Sequence, residues 1–340
     1  LALVVGSVVI CHRLETSRIG RAWMAIREDE IAAKAMGINT RNLKLLAFGM
    51  GVLMVTGFAD VQADRVEVRL WGWGRNDESW LISRHIIPGD PNIPEGEEGS
   101  PWSAVTELRR TPVRHASGAQ MPVEAFGVDS GYSAQAIYNY VRPHQHARVL
   151  ATKGIPGKRP ALGKPTPVDV TWRGRTVPGG LKVWGLGVDT IKTLLYGRMR
   201  LTIAASKVGG AGYVHVPDAF REDPHGEFKQ MTAERLKTRY VKGFPVLEWH
   251  LPSGRRNEAL DCFVGAYAMA CFLGIQSMRE DAWSKREKLY APRELDLFGT
   301  ALALAPAVQA VRAMTAPPVP AAPPAAGPRR RPPTSRTPPR

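Results

Sequence analysis

The stretch from Val52 to Gly74, VLMVTGFADVQADRVEVRLWGWG, constrains the fold more than any other part of the chain. An apolar run ends at Asp60 and a polar corner follows. A second run then alternates as Val66, Val68 and Leu70 before Trp71 and Trp73. Such runs, rich in β-branched and aromatic residues and parted by a short corner, specify a buried strand turning into a paired neighbour. The first strand delivers a carboxylate to its own end. Trp71, Trp73 and Trp80 are expected to pack the sheet instead of stacking on bases.

From Val52 onward the pattern is that of an α/β domain. Strands are expected over residues 65–74, 80–87, 123–128, 148–153, 182–188 and 246–250. Helices are expected over 102–110, 134–141, 190–199, 233–240 and 257–273. Early hairpins followed by interleaved helices favour a mixed sheet covered by helices. Residues 153–180, rich in Gly, Pro, Lys and Arg, read as a mobile basic loop. Beyond Ala305 the chain is mostly Pro and Ala and closes on RRRPPTSRTPPR, a composition expected to be disordered. Its arginines (Arg312, Arg329, Arg330, Arg331, Arg336, Arg340) face no acid after Asp296 and form much of a net charge of +15, which points to a polyanionic partner. Cys11, Cys262 and Cys271 lack metal-ligand spacing and read as small buried hydrophobes.

Three acids stand where chemistry is possible. Asp60 closes the first strand. Asp129 closes another, in VEAFGVDSGYSAQ, and Asp261 lies one turn into a helix that Asn257 is placed to cap. Glu258 precedes Asp261 by three residues and shares its helical face. Two strand-end acids and one helix acid, converging at a sheet edge, suit Mg²⁺ or Mn²⁺ through oxygen ligands and hence phosphodiester hydrolysis. Strand-end acids are common in α/β proteins, so the spacing alone selects no function. Asp189, in GVDTIK, reads as a helix cap, and His144 and His146 as surface polar groups. The segment GKRPALGKP is no phosphate-binding loop, because Pro165 replaces the hydroxyl residue and the spacing is one residue too long.

Two resemblances add to this. The motifs ADVQADRVEVRLWGWGRNDESWLI, VDSGYSAQAIYNYVRP, LATKG, GLGVDTIKTLLYGRMRL, MTAERLKTRYVKG and RRNEALDCFVGAYAMA resemble, in order, the nuclease domain of the GpA-type phage terminase large subunit. That resemblance implies an RNase H-like domain over residues 52–275 that cuts double-stranded DNA during phage packaging. It further implies a two-metal site of Mg²⁺ or Mn²⁺ held by Asp60, Asp129 and Asp261, with Lys153 in LATKG beside the scissile phosphate. Implied partners are a terminase small subunit, the portal or procapsid, and an ATPase unit, since no GxxxxGK[ST] loop occurs here. The implied location is the cytoplasm of a bacterial host. The N-terminal SRIGRAWMAIREDEIAAKAMGINTRNLKLLAF resembles a cytoplasmic loop of LivM-type branched-chain amino-acid permeases.

The expected organisation is a permease-like helical fragment over 1–51, the nuclease domain over 52–275, a helical extension over 276–304 and a disordered tail over 305–340. The leading Leu is what a fragment would show, and no functional membrane span is expected. Two readings compete with an active nuclease: a catalytically inactive DNA-binding prophage remnant, and a membrane-associated permease fragment.

Overall fold

A computed structural model of the chain describes residues 51–172, 174–204, 211–223 and 225–290. The expected N-terminal appendage up to residue 50, the extension beyond residue 290 and the 305–340 tail lie outside the described residues. The elements run β1 (Met54–Val61), β2 (Arg65–Trp73), β3 (Ser79–Pro88), α1 (Trp102–Arg110), β4 (Val113–Arg114), β5 (Gln120–Met121), β6 (Ala125–Asp129), α2 (Ala134–His144), β7 (Val149–Ile155), β8 (Leu162–Trp172), β9 (Arg175–Gly187), α3 (Val188–Ala204), β10 (Val214–His215), α4 (Glu227–Met231), β11 (Arg235–Val241), β12 (Phe244–His250), α5 (Glu258–Phe272) and α6 (Glu280–Tyr290). One mixed eight-stranded sheet, ordered β10-β3-β2-β1-β6-β7-β9-β8, carries the fold, flanked by helices. The β1–β2–β3 meander is antiparallel, whereas β6, β7 and β9 run parallel to β1. No helix of the described residues is long and apolar enough to cross a membrane.

The centre of the sheet is covered by α5. Gly265 faces the Phe58 ring so closely that a methyl added there would land inside it. A run of small side chains (Gly265, Ala266, Ala268, Ala270) therefore lets this helix lie almost on the strands. Thr56 Oγ1 on β1 donates to the Ala266 carbonyl at 2.8 Å and accepts from Trp73 Nε1 at 2.8 Å, so strand, neighbouring strand and helix share one buried hydroxyl. Trp71 and Phe263 meet edge to face at 4.8 Å, and Trp71, Trp73 and Trp80 are all buried, as packing residues should be.

Two segments differ from expectation. Residues 233–240 do not form a helix: Arg235–Val241 is strand β11, paired with β12 in a two-stranded ribbon. The two-residue loop between them, Lys242 and Gly243, has φ of 51° and 84°, the left-handed geometry of a tight hairpin. A helix-rich composition (Glu, Arg, Leu, Lys) loses here to this turn and to Tyr240, Val241, Phe244 and Val246. Nor is 153–180 one mobile loop, because most of it builds β8 and β9. Pro165 and Pro167 are tolerated because β8 is the outermost strand, where a missing N–H costs no ladder bond.

The packing of α5 on β1 yields a stability prediction. Gly265→Ala should lower unfolding free energy by about 1–3 kcal/mol, as overpacking of a filled core does. Urea unfolding of the variant measures this, and an unchanged midpoint would refute the close approach.

Candidate active site

Asp60, one residue from the end of β1, and Asp129, at the end of β6, lie close enough to Asp261 in the first turn of α5 for their charges to act on one another. Asp60 is buried, and Gln62, in the hairpin turn, donates from Nε2 to its Oδ2 at 2.7 Å. Asp129 is held by its own turn: the Gly131 N–H donates to its Oδ2 at 3.2 Å, and Ser130 Oγ donates to the Thr152 carbonyl of β7 at 2.7 Å. Asp261 sits one turn into α5. Asn257 occupies the cap position, yet its side chain does not cap the helix. Instead its Nδ2 donates both to Asp261 Oδ2 and to Glu234 Oε1, each at 2.8 Å.

Glu234 and Lys192 escaped the sequence reading. Lys192 reaches in from α3, nearly buried, with Nζ 2.6 Å from Glu234 Oε1 and 3.4 Å from Asp261 Oδ1. Burial works against its charge, but Asp261 and Glu234 overcome this and hold the amine protonated. No local spacing announces the pairing of Glu234 with a lysine 42 residues earlier.

Electrostatics divides the buried acids into two groups. Burial pushes the Asp60 carboxyl well above its ordinary value, and the negative charges of Asp261 and Asp129 push it the same way against the Gln62 hydrogen bond. Burial likewise raises Asp129; the Gly131 and Ser130 amides, and then the Lys153 charge, oppose it. Glu67 stands directly across from Asp60 in the β1–β2 register and is fully buried, yet its carboxyl is lowered. Burial alone would raise it, but Arg69, Arg65 and Arg256 surround it. Arg65 Nε donates to Glu67 at 2.9 Å, Arg69 Nη1 at 3.2 Å, and Arg256 Nη2 donates as well. Glu258, which shares a helical turn with Asp261, joins that arginine cluster through Arg65 and Arg256 and takes no place beside Asp261. Asp60 and Asp129 make no ion pair among the described residues.

Among the described residues, no three His, Cys, Asp or Glu side chains are gathered into a ready metal cage. In kind the donors suit a hard divalent cation, since all are carboxylate oxygens and their charges act on one another. Asp189 lies apart, and its carboxylate accepts from the Gly157 N–H at 2.7 Å, tying down the loop after β7. His146 is exposed as expected. His144 is not a surface group: it is buried, its Nε2 lies 2.8 Å from Glu95 Oε2, and it packs on Tyr140. Its place on the inner side of α2, one turn after Tyr140, overrides the loop-like reading of RPHQH.

The chain matches the family described as terminase large subunit gpA, endonuclease domain, over residues 13–289. It is 33% identical over 222 residues to the terminase large subunit of Escherichia phage lambda, covering 64% of this chain and 32% of that protein. Against the terminase large subunit of Enterobacteria phage P21 the identity is 31% over 218 residues, with 64% and 32% covered. A 59-residue stretch is 46% identical to the high-affinity branched-chain amino acid transport system permease protein LivM of Escherichia coli K12, covering 17% of this chain and 14% of that protein. The chain spans about a third of the length of the terminases it matches. No solved structure matches it.

The raised acids set a pH dependence. Burial lifts Asp261 from 3.8 to about 6, helped by Glu234 and Asp129 and opposed by Lys192. Between those values the folded state binds more protons at Asp261 than the unfolded state, so this group's contribution to stability is fully present below 3.8 and is lost as pH rises through about 6. In a chelating buffer, urea midpoints should fall across that window. Asp261→Asn should flatten the fall, and an equally steep fall in the variant would remove Asp261 as its source.

Proposed function

This chain belongs to the endonuclease-domain family of the terminase large subunit gpA, and on that premise we propose that it cuts double-stranded DNA by Mg²⁺- or Mn²⁺-dependent hydrolysis during phage packaging. The observation that carries this reading is the contrast between paired acids. Glu67 is neutralised by three arginines, while Asp60, its cross-strand neighbour, faces Asp129 and Asp261 with no cation of its own. Carboxylates left to repel one another at the ends of central strands are an arrangement that a divalent cation relieves. A bound ion would polarise the scissile phosphate and favour hydroxide over water.

Asp60, Asp129 and Asp261 are the residues that would hold it. Gln62 orients Asp60, and Asn257 orients Asp261. Lys153, whose charge bears on Asp129, would offset charge on the phosphate. The duplex would approach along the ribbon, whose first strand follows Glu234 directly. Arg235, Lys237 and Arg239 alternate along one exposed face of β11 and form a cationic stripe rooted at the acidic cluster.

In this reading residues 52–275 form the nuclease domain. DNA translocation is then the work of an ATPase unit outside these 340 residues, which hold no GxxxxGK[ST] loop. A small subunit and a portal or procapsid are the further partners, and the host cytoplasm is the setting. The N-terminal segment is read as permease-like, supported by the short LivM match.

A plasmid-cleavage assay tests the nuclease. The wild type should nick or linearise DNA with Mg²⁺ or Mn²⁺ and stop on chelation. Asp60→Ala should lose at least about 100-fold, the low end for removing one stabiliser of transition-state charge. Equal rates for the two proteins would dismiss the assignment, and salt-sensitive binding without any cleavage would favour an inactive DNA-binding remnant. For the ribbon, Lys237→Ala should weaken duplex binding uniformly across sequences and reduce the slope of log affinity against log salt by about 1. An unchanged slope would take the ribbon out of the DNA path.

A further inference from the structure

Lys192 stands apart from the other cations near the site. Lys153 is exposed and acts on Asp129 from a distance, as a phosphate-facing residue should. Lys192 is buried, and its ammonium is inserted between two carboxylates, 2.6 Å from Glu234 and 3.4 Å from Asp261. The same two carboxylates are joined from another side by the Asn257 amide. One half of the acidic cluster is therefore already closed around a cation supplied by the chain. The other half, Asp60 and Asp129, makes no ion pair among the described residues, and Lys153 reaches Asp129 only from a distance.

In a two-metal site a shared carboxylate lies between two ions roughly 3.5–4 Å apart, each filling its shell with further oxygens. Asp261 is the acid placed to be shared, since its charge acts on both Asp60 and Lys192. On its Glu234 side, the space such an ion would need is taken by Lys192 Nζ. We infer that Lys192 supplies the second positive charge of this site, so that it takes one divalent ion, on the Asp60 and Asp129 side of Asp261, instead of a pair. Lys192 is thus a positioning residue that fixes Glu234 and Asp261 and sets the metal stoichiometry. The inference rests on the metal-dependent reading given above.

Titration of the metal-free 340-residue chain with Mn²⁺, with free ion read by electron paramagnetic resonance, counts the ions without reference to activity. The wild type should bind one ion and Lys192→Met two, because Glu234 and Asp261 are then left without their cation. Should Lys192→Met fail to fold, Lys192→Gln, which can still hydrogen-bond both carboxylates, carries the same expectation. Two ions on the wild type would overturn this inference and leave metal dependence intact. One ion on the wild type and on the folded variant would overturn it too, since Lys192 would not be what excludes the second. No binding to the wild type would overturn the metal-dependent reading itself, and this inference with it.

Discussion

The close approach of α5 to β1 is the contact on which the rest of the structure depends. Gly265 admits the Phe58 ring where any side chain would block it, and Thr56 bonds the helix backbone directly. With the helix at that height, Asp261 comes level with the strand ends that bear Asp60 and Asp129. At the same height Phe263 reaches Trp71 and Trp73, sealing the sheet beneath the site. A helix spaced outward by ordinary side chains would separate the acid it carries from those on the strands.

That approach also explains how β2 can be buried on both faces. Val66, Val68 and Leu70 fill one side, while Glu67, Arg69, Trp71 and Trp73 lie under α5 on the other. Arg69 is fully buried and forks onto Glu227 with two bonds of 2.8 and 2.9 Å. Buried ion pairs of this kind contribute little net stability, because desolvation offsets the attraction, but breaking one is costly. Their effect here is selective: the guanidiniums at β2 neutralise Glu67, Glu227 and Glu258 and leave Asp60 uncompensated.

Much of this was legible in the sequence. β6 ends on Asp129 and β1 carries Asp60 next to its last residue, because a strand can carry a carboxylate where its pairing stops, and Asn257 stands at the start of α5. The positions of Asp60, Asp129 and Asp261 follow from such local patterns. Glu234 and Lys192 do not, since their roles arise from a pairing between α3 and the residue before β11 that no periodicity encodes. Glu67 and Arg69 look like the solvent side of an alternating strand, and only the covering helix makes them interior. The errors at residues 233–240 and 153–180 have a common origin. Turn geometry overrides composition in the first, and sheet position overrides it in the second.

The order in which the site can form follows from where its parts lie along the chain. The Thr56–Ala266 hydrogen bond joins residues 210 positions apart, and the acids at 60, 129, 234 and 261 are spread over the same span. Closing so long a loop costs entropy that no local contact returns, so the site depends on contacts between the two ends of the domain. A chain emerging from the ribosome shows its β1–β2 hairpin early and its final acid last. The acidic cluster is thereby incomplete until nearly the whole domain has been synthesised and packed.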